Sequence, residues 1–256
     1  MPRRPLPDRP LPDPAPVALG VIAADRFGER IALALETRAQ ALLDRLHNHH
    51  PDSAAHSIRV AQLTMAMWST ARDLLGPAET ALIGSLLHDA GKLYVPRSIL
   101  GAERLLTPAE RIIMCGHTGL GAELLAAQGF PDPVIAIARD HHERWSGGGY
   151  PSGAPAHGRL PIVRAVAVAD AFIAMIETGR AYRAPMNHLQ ALREVEACSG
   201  THFDPVAAAI LRDSMALWRQ RLLEREAPGW ERDATVFPPL FARYRGSCGV
   251  RPQPAF

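Results

Sequence analysis

The chain has 256 residues, of which 47% are hydrophobic and 21% are charged, and its formal net charge is +2 at pH 7. This is the composition of a globular protein with enough apolar material for one large domain or two small ones. A net charge so close to zero argues against binding of a nucleic-acid polymer through bulk charge. The three cysteines, Cys115, Cys198 and Cys248, lie far apart, which argues against a disulfide framework or a thiolate zinc site.

The two ends of the chain differ in character from its middle. Residues 1–20 are rich in proline and repeat the pentapeptide Arg-Pro-Leu-Pro-Asp, which predicts a disordered or polyproline arm. Residues 21–225 are predicted to form the folded domain, and residues 226–256 an irregular tail. The sequence has no apolar run of about 18 residues or more and no secretory signal, so we expect a cytoplasmic protein without a membrane segment.

Helical periodicity begins near Asp25 and continues through the domain. The first helix is outlined by apolar residues at helical spacing: Ile31, Leu35, Leu42 and Leu46. A loop is predicted at His47–Ser53, with its histidines in a solvated turn. Further helices are predicted near His188–Ala197 and Asp204–Leu222 as packing elements, with His157, His188 and His202 at the surface or in structural roles.

Two later segments place a histidine within an apolar helical stripe. The first stripe consists of His56, Val60, Leu63 and Met67, and the second, with identical offsets, of Ile113, His117, Leu120 and Leu124. The helix that carries the second stripe is predicted to start with a capping box at Thr107–Glu110. One inward histidine is ordinarily a core residue bonded to the backbone, so neither stripe alone indicates a metal site.

Other polar residues end or interrupt apolar helices in the same way. An apolar segment ends in His88 and Asp89, and Gly91 follows as a predicted helix stop. A helix opened by Asp132 ends in His141 and His142, and a further helix places an acid on the apolar face formed by Val163, Val166 and Asp170. Five histidines and two aspartates of this kind predict a shared metal, since buried polar groups need partners.

Two features next to these residues indicate a substrate site. Lys92 is the only lysine in the chain, beside 27 arginines, and a lysine can donate a proton where an arginine cannot. The glycine-rich loop after His142 allows close approach of the backbone to a phosphate or a base, with Trp145 or Tyr150 nearby. An ordinary connecting loop is the alternative.

Five short motifs occur in order with the spacing of a known family: His88–Lys92, His141–Trp145, Gly149–Pro151, Val168–Asp170 and Ala181–Arg183. Over about residues 50–215 the chain resembles the HD-GYP subgroup of the HD superfamily of metal-dependent phosphohydrolases. The resemblance implies an all-α fold, an HD-domain helical bundle with the metal site in its core. It also implies hydrolysis of cyclic di-GMP to pGpG and/or GMP by a metal-bridging hydroxide.

The resemblance further implies a role for each matching residue. The metal ligands would be His56, His88, Asp89, His117, His141, His142 and Asp170. Asp89 would bridge two metals and, with Lys92, act in catalysis, while Lys92 would contact the substrate phosphate or assist proton transfer. The other substrate-binding residues would be Arg183, Gly149, Tyr150, Pro151 and Trp145. The ions would be two or three divalent metals, commonly iron or manganese, with zinc, nickel or magnesium as alternatives. Diguanylate cyclase (GGDEF) partners and a homodimer are also implied.

Several residues depart from the family pattern. Ser146 and Ile173 stand where the family usually has aspartate, and the stretch from Asp170 to Arg183 is one residue longer. Arg97 and Asp52 stand where some three-metal members have a histidine and a glutamate, which favours two metals over three. The departures concern the substrate side, so two alternatives stay open: a catalytically weak cyclic di-GMP sensor or docking module, and a phosphohydrolase of another nucleotide.

Overall fold

A computed structural model describes residues 26–177 and 185–224 of the chain. Over these residues the fold is all-α, as predicted, with one isolated bridge between Ser199 and Phe203 and no strand. The predicted arm at 1–20 and tail at 226–256 lie outside the described residues, as does Arg183. None of the described helices is both long enough and apolar enough to span a membrane.

Eleven α-helices are found in the described part of the chain. They are α1 (Arg26–His49), α2 (Pro51–Thr70), α3 (Arg72–Leu75), α4 (Ala78–Leu87), α5 (Arg97–Leu100), α6 (Pro108–Cys115), α7 (His117–Ala127), α8 (Asp132–Asp140), α9 (Pro161–Ile176), α10 (His188–Ala197) and α11 (Pro205–Glu224). Short 3-10 helices cover Ala90–Tyr94 and Ala156–Gly158. The first predicted helix is present as α1, and those predicted near His188–Ala197 and Asp204–Leu222 are present as α10 and α11.

Helix α2 lies at the centre of the bundle. It packs against α1, α4, α9 and α11, while α8 packs against α4, α7 and α9. The largest apolar cluster follows α9 and includes many small and β-branched buried residues, such as Val163, Val166 and Val168. Apolar clusters thus surround the space between α2, α4, α7, α8 and α9, into which the predicted metal ligands project.

The loop predicted at His47–Ser53 is wrong in its extent. Helix α1 continues to His49, α2 begins at Pro51, and only His50 lies between them. His50 acts as the N-cap, because its Nδ1 accepts a hydrogen bond from the backbone N–H of Ser53 at 3.2 Å. Proline suits the first helical position because its missing N–H would have had no partner there. Two helices therefore meet almost directly.

The continuous stripe predicted through His117 is also wrong. The helix breaks at Gly116, and α6 contains no buried residue, so Ile113 is 45% exposed. Leu120 lies on the outer face of α7 and is 37% exposed. His117 and Leu124 are buried as expected. The predicted capping box at Thr107–Glu110 is present and starts α6. The stripe fails because α6 leaves the core and only α7 packs into it.

Gly91 does not act as the predicted helix stop. Helix α4 already ends at Leu87, and Gly91 lies inside the 3-10 helix, against the start of α7. A Cβ atom at Gly91 would lie 1.9 Å from the carbonyl oxygen of His117 and 2.5 Å from the backbone nitrogen of Gly121. Glycine is therefore required because two backbones touch here, and this contact brings His88 and Asp89 next to His117.

We expect Gly91→Ala to destabilise the metal-free protein by about 3 kcal/mol, because the added methyl meets backbone that cannot rotate away. Gly119→Ala is the matched control, since nothing lies within 4 Å of its added Cβ. That variant should be more stable by about 0.5 kcal/mol, as alanine favours a helix. Urea unfolding measures both, and equal stability of the two variants would contradict the close-contact explanation.

Candidate metal centre

The seven residues predicted as metal ligands come from distant parts of the chain and meet in one place. They are His56 from α2, His88 and Asp89 after α4, His117 at the start of α7, His141 and His142 after α8, and Asp170 from α9. Six of the seven residues are buried, and the His142 side chain is 28% exposed. The cluster is therefore a largely enclosed polar site inside an apolar bundle.

Three of these histidines make the same local hydrogen bond. The Nδ1 atoms of His88, His117 and His141 lie 2.7, 2.6 and 3.0 Å from the carbonyl oxygens of Ser85, Met114 and Ala138, each three residues earlier. Helix ends offer such carbonyls because their last turn has no intrahelical partner. A carbonyl only accepts, so Nδ1 carries the proton in each neutral ring and Nε2 presents a lone pair.

These lone pairs point at one another and at a carboxylate. The Nε2 atoms of His117 and His141 are 3.4 Å apart, and Asp89 Oδ1 lies 3.3 Å from the first and 4.0 Å from the second. Within the described chain, His88 Nε2 and Asp89 Oδ1 are buried without a hydrogen-bond partner. Buried lone pairs without donors are costly, and a cation between them would satisfy all of them. The donor set therefore fits a divalent metal.

A second group of donors adjoins the first. Asp170 Oδ1 lies 2.8 Å from His56 Nε2 and 3.8 Å from His88 Nε2, and its Oδ2 lies 3.8 Å from His142 Nδ1. Ligand atoms within 4.8 Å of one another form three such groups: His56, His88 and Asp170; His117, His141 and His142; and His88, Asp89 and His141. The three groups adjoin one another, because His88 and His141 each belong to two of them.

The carboxylates of the site are held in their ionised form. Burial would raise the pKa of Asp89, but the positive charge of Lys92 and the neighbouring imidazole of His88 outweigh it and hold that pKa well below its usual range. Burial also acts to raise the pKa of Asp170, but the hydrogen bond from His56 outweighs it and holds that pKa well below its usual range. Both side chains are therefore anionic at neutral pH, which is the form that binds metal.

Three imidazoles of the site have shifted pKa values, in two opposite directions. Burial lowers the pKa of His142 to about 4, and burial together with neighbouring imidazoles lowers the pKa of His141. Burial also acts to lower the pKa of His56, but its hydrogen bonds to Asp170 and Glu177 prevail and raise that pKa to about 9. In the metal-free protein, His56 is thus protonated on both ring nitrogens and bonds Asp170 with Nε2 and Glu177 with Nδ1.

Lys92 lies at the edge of the centre. Its ammonium is 2.5 Å from Asp89 Oδ2, and its side chain is 20% exposed. The 3-10 helix after Asp89 directs the lysine back toward the carboxylate, because the backbone N–H of Lys92 donates to the Asp89 carbonyl. The single lysine of the chain thus reaches both the predicted metal bridge and the solvent side.

The glycine-rich loop covers the centre on the side of His142. The Tyr150 ring lies 4.6 Å from the His142 ring and 6.3 Å from the His117 ring, and a cis bond joins it to Pro151, which is exposed. A Cβ at Gly149 would lie 2.4 Å from the carbonyl oxygen of His142, so only glycine lets the loop approach this closely. Burial raises the pKa of the Tyr150 hydroxyl, which therefore stays protonated.

The other predicted substrate residue of the loop has different neighbours. The Trp145 ring lies 4.3 Å from the ring of His157 and 5.3 Å from the guanidinium of Arg164, and its backbone N–H donates to the His202 carbonyl. Ser146 donates to the carbonyl of Thr201 with both its backbone N–H and its hydroxyl. The start of the loop is thus anchored on the connection between α10 and α11.

Sequence reasoning missed two carboxylates that support these residues. Glu143 Oε1 accepts hydrogen bonds from the backbone N–H and the hydroxyl of Ser152, at 2.6 and 2.5 Å, and so ties the loop to the end of α8. Glu177 contacts His56 Nδ1 with both oxygens at 3.0 Å. A signal existed for each, since Glu143 follows the histidine pair and Glu177 lies seven residues after Asp170, on the same helical face.

Comparison with known proteins places this site in a wider context. A "Probable cyclic di-GMP phosphodiesterase" of Vibrio cholerae is 33% identical over 192 residues, which are 71% of this chain and 43% of that protein. A "Cyclic di-GMP phosphodiesterase" of Thermotoga maritima is 42% identical over 130 residues, which are 49% of this chain and 35% of that protein. The chain therefore spans less than half the length of these curated relatives.

Solved structures show the same fold at low sequence identity. The HD domain of the L. monocytogenes phosphodiesterase PgpH is 18% identical with a TM-score of 0.52, covering 71% of this chain and 98% of that one. Bd1817, an HD-GYP-type protein from Bdellovibrio bacteriovorus, is 18% identical with a TM-score of 0.53, covering 72% of this chain and 71% of that one. The HD domain family matches residues 40–206, well over half of the sequence. The chain belongs to the HD domain family.

Proposed function

We propose that this chain is a metal-dependent phosphodiesterase that hydrolyses cyclic di-GMP to pGpG and/or GMP. The observation that carries the proposal is the pair of adjoining donor groups around Asp89, in which His88 Nε2 and Asp89 Oδ1 are buried without a hydrogen-bond partner within the described chain. The relatives named as cyclic di-GMP phosphodiesterases support the substrate.

The donor set suits two divalent ions. One would be held by His56, His88 and Asp170, the other by His117, His141 and His142, with Asp89 between them. When bound, the ions would supply Lewis-acid activation of water and neutralise the phosphodiester. Imidazole and carboxylate ligands suit iron and manganese, and also zinc. We propose iron or manganese, by the resemblance to the HD-GYP subgroup.

The residues around the ions would bind and orient the substrate. The ammonium of Lys92 would contact a phosphate oxygen while it keeps Asp89 anionic, and it could also pass a proton to the leaving oxygen. Tyr150, packed on His142, would place its ring beside the dinucleotide, and Gly149 and Pro151 would shape the loop. Arg183 would add a further cation, and Trp145 would brace the loop.

A cyclic dinucleotide other than cyclic di-GMP is the alternative substrate. A "3'3'-cGAMP-specific phosphodiesterase 2" of Vibrio cholerae is 36% identical over 134 residues, which are 50% of this chain. Ser146, in the glycine-rich loop, departs from the subgroup pattern and motivates the same question, whereas Ile173 is buried in the apolar cluster along α9. Turnover measured on cyclic di-GMP, 3'3'-cGAMP and cyclic di-AMP in parallel ranks the substrates. Nucleotide binding without product would instead support the sensor or docking alternative.

Three further expectations rest on the resemblance: a homodimer, docking of diguanylate cyclase (GGDEF) proteins, and a cytoplasmic location. Each stays a prediction. Size-exclusion chromatography with light scattering addresses the first, and a binding assay with a purified cyclase the second.

The central test is replacement of the residue shared by both ion positions. Asp89→Ala should abolish both bound ions and hydrolysis of cyclic di-GMP, because it removes the carboxylate between the two donor groups. Elemental analysis of anaerobically purified protein, followed by a turnover assay, measures both. Asp213→Ala is the control, since Asp213 is an exposed aspartate on α11. An Asp89→Ala protein that keeps two ions and turns over would contradict the proposal.

Metal affinity should depend on pH through His56. With its pKa raised to about 9, His56 carries a proton at neutral pH that a metal must displace, so affinity at this position should fall about tenfold per pH unit below 9. His142, with a pKa of about 4, adds no such dependence there. Titration with Mn²⁺ between about pH 6 and pH 8 measures the slope, and a pH-independent affinity would contradict it.

The same shift has a consequence for the metal-free protein. The stability contributed by protonated His56 is fully present below its unfolded pKa of about 6.5 and is lost as the pH rises through about 9. Urea unfolding of metal-free protein across this interval should therefore show a decline in stability, which Mn²⁺ should reverse.

Replacement of the single lysine tests the substrate side. Lys92→Met should lower turnover by about 100- to 1000-fold while both ions stay bound, because it removes a preorganised charge at the phosphate. Lys92→Arg keeps the charge and should be intermediate. Turnover rates and metal content are compared with wild type, and wild-type turnover by Lys92→Met would remove Lys92 from the mechanism.

A further inference from the structure

The residue next to the metal centre that no motif includes is Glu177, at the end of α9. Its carboxylate oxygens both lie 3.0 Å from His56 Nδ1, and its side chain is 14% exposed. The other nitrogen of the same ring, Nε2, lies 2.8 Å from Asp170 Oδ1, on the side of the candidate ion position. The His56 ring thus separates Glu177 from the metal ligands.

His56 differs from the other histidines in how its ring is held. His88, His117 and His141 use carbonyls at helix ends, but His56 lies in the interior of α2, where backbone carbonyls already accept helical hydrogen bonds. A side chain must therefore supply the acceptor for its Nδ1–H. Glu177, at the end of α9 and 121 residues after His56 in the chain, supplies it.

Glu177 is itself held in place by a cation. Arg59, three residues after His56 on α2, approaches Glu177 Oε1 with Nε at 2.7 Å and Nη2 at 2.6 Å. Arg59 and His56 lie on neighbouring positions of one helical face, so both can reach the same carboxylate. The guanidinium neutralises the glutamate and fixes its orientation toward His56.

We propose that Glu177 is a positioning residue for the metal ion held by His56, His88 and Asp170. It accepts the Nδ1–H of His56, fixes the ring orientation, and directs the Nε2 lone pair at that ion, with Arg59 holding the glutamate. Outer carboxylates of this kind increase the basicity of a histidine ligand, and their loss typically costs 10- to 100-fold in metal affinity. The inference rests on the metal dependence proposed above and not on the identity of the nucleotide.

The test is a calorimetric titration of the metal-free 256-residue chain with Mn²⁺. Glu177→Ala should weaken one of the two ions by 10- to 100-fold and leave the other within about twofold of wild type. Glu177→Gln keeps an oxygen that can accept the Nδ1–H, so it should restore most of the lost affinity. Arg59→Met should fall between these two variants, because the glutamate stays but loses its orientation.

Glu123→Ala is the matched control, because Glu123 is an exposed glutamate on α7. This variant should bind both ions as the wild type does. Urea unfolding of the metal-free variants separates positioning from a general loss of structure. The inference is overturned if Glu177→Ala binds both ions with wild-type affinity, if it loses both equally, or if Glu177→Gln is no better than Glu177→Ala.

The outcome is separable from that of the proposed function. Site-selective weakening in Glu177→Ala, together with no turnover of any cyclic dinucleotide by wild type, would support the positioning role and overturn the phosphodiesterase. Turnover by wild type with unchanged metal affinity in Glu177→Ala would overturn only the positioning role.

Discussion

The structure depends on a set of buried histidine Nε2 atoms whose lone pairs face one another with no proton to form a hydrogen bond between them. The helix ends set these protonation states. The carbonyls of Ser85 and Met114 accept hydrogen bonds from Nδ1–H of His88 and His117, so Nε2 of each ring is unprotonated. Such an arrangement is unfavourable inside an apolar bundle unless a cation completes it. The break at Gly116 and the backbone contact at Gly91 serve this site, because they bring the end of α4 against the start of α7.

The two sides of the site are built on different principles. The metal side consists of donors on packed helices, where ring orientation is set by backbone or by Glu177. The loop that we propose to face the substrate is held at two anchors, Glu143 with Ser152 and Ser146 with Thr201. Ile173, which stands at an aspartate position of the resembling subgroup, is buried in the apolar cluster along α9. The departures at Ser146 and Ile173 thus affect the loop and the packing, and the seven predicted metal ligands are unchanged.

In the metal-free protein, a proton takes over part of the role of an ion. His56 joins Asp170 on one side and Glu177 on the other, and the two carboxylates raise its pKa to about 9 against the opposing effect of burial. For His141 and His142 the effect of burial outweighs that of the nearby carboxylates, so their pKa values are lowered and their rings are neutral. Metal binding exchanges this proton for an ion and is thereby linked to both folding and pH.

The sequence alone determined the helices, the inward faces of His56 and Asp170, and the capping box at Thr107, because periodicity and caps are local properties. It failed at the junction capped by His50, where a predicted loop is almost absent, and at Ile113, where helix α6 leaves the core. Only the tertiary structure decided the partner of His56. Periodicity states which face a residue occupies, whereas contact with Glu177, 121 residues away, depends on how α2 and α9 pack.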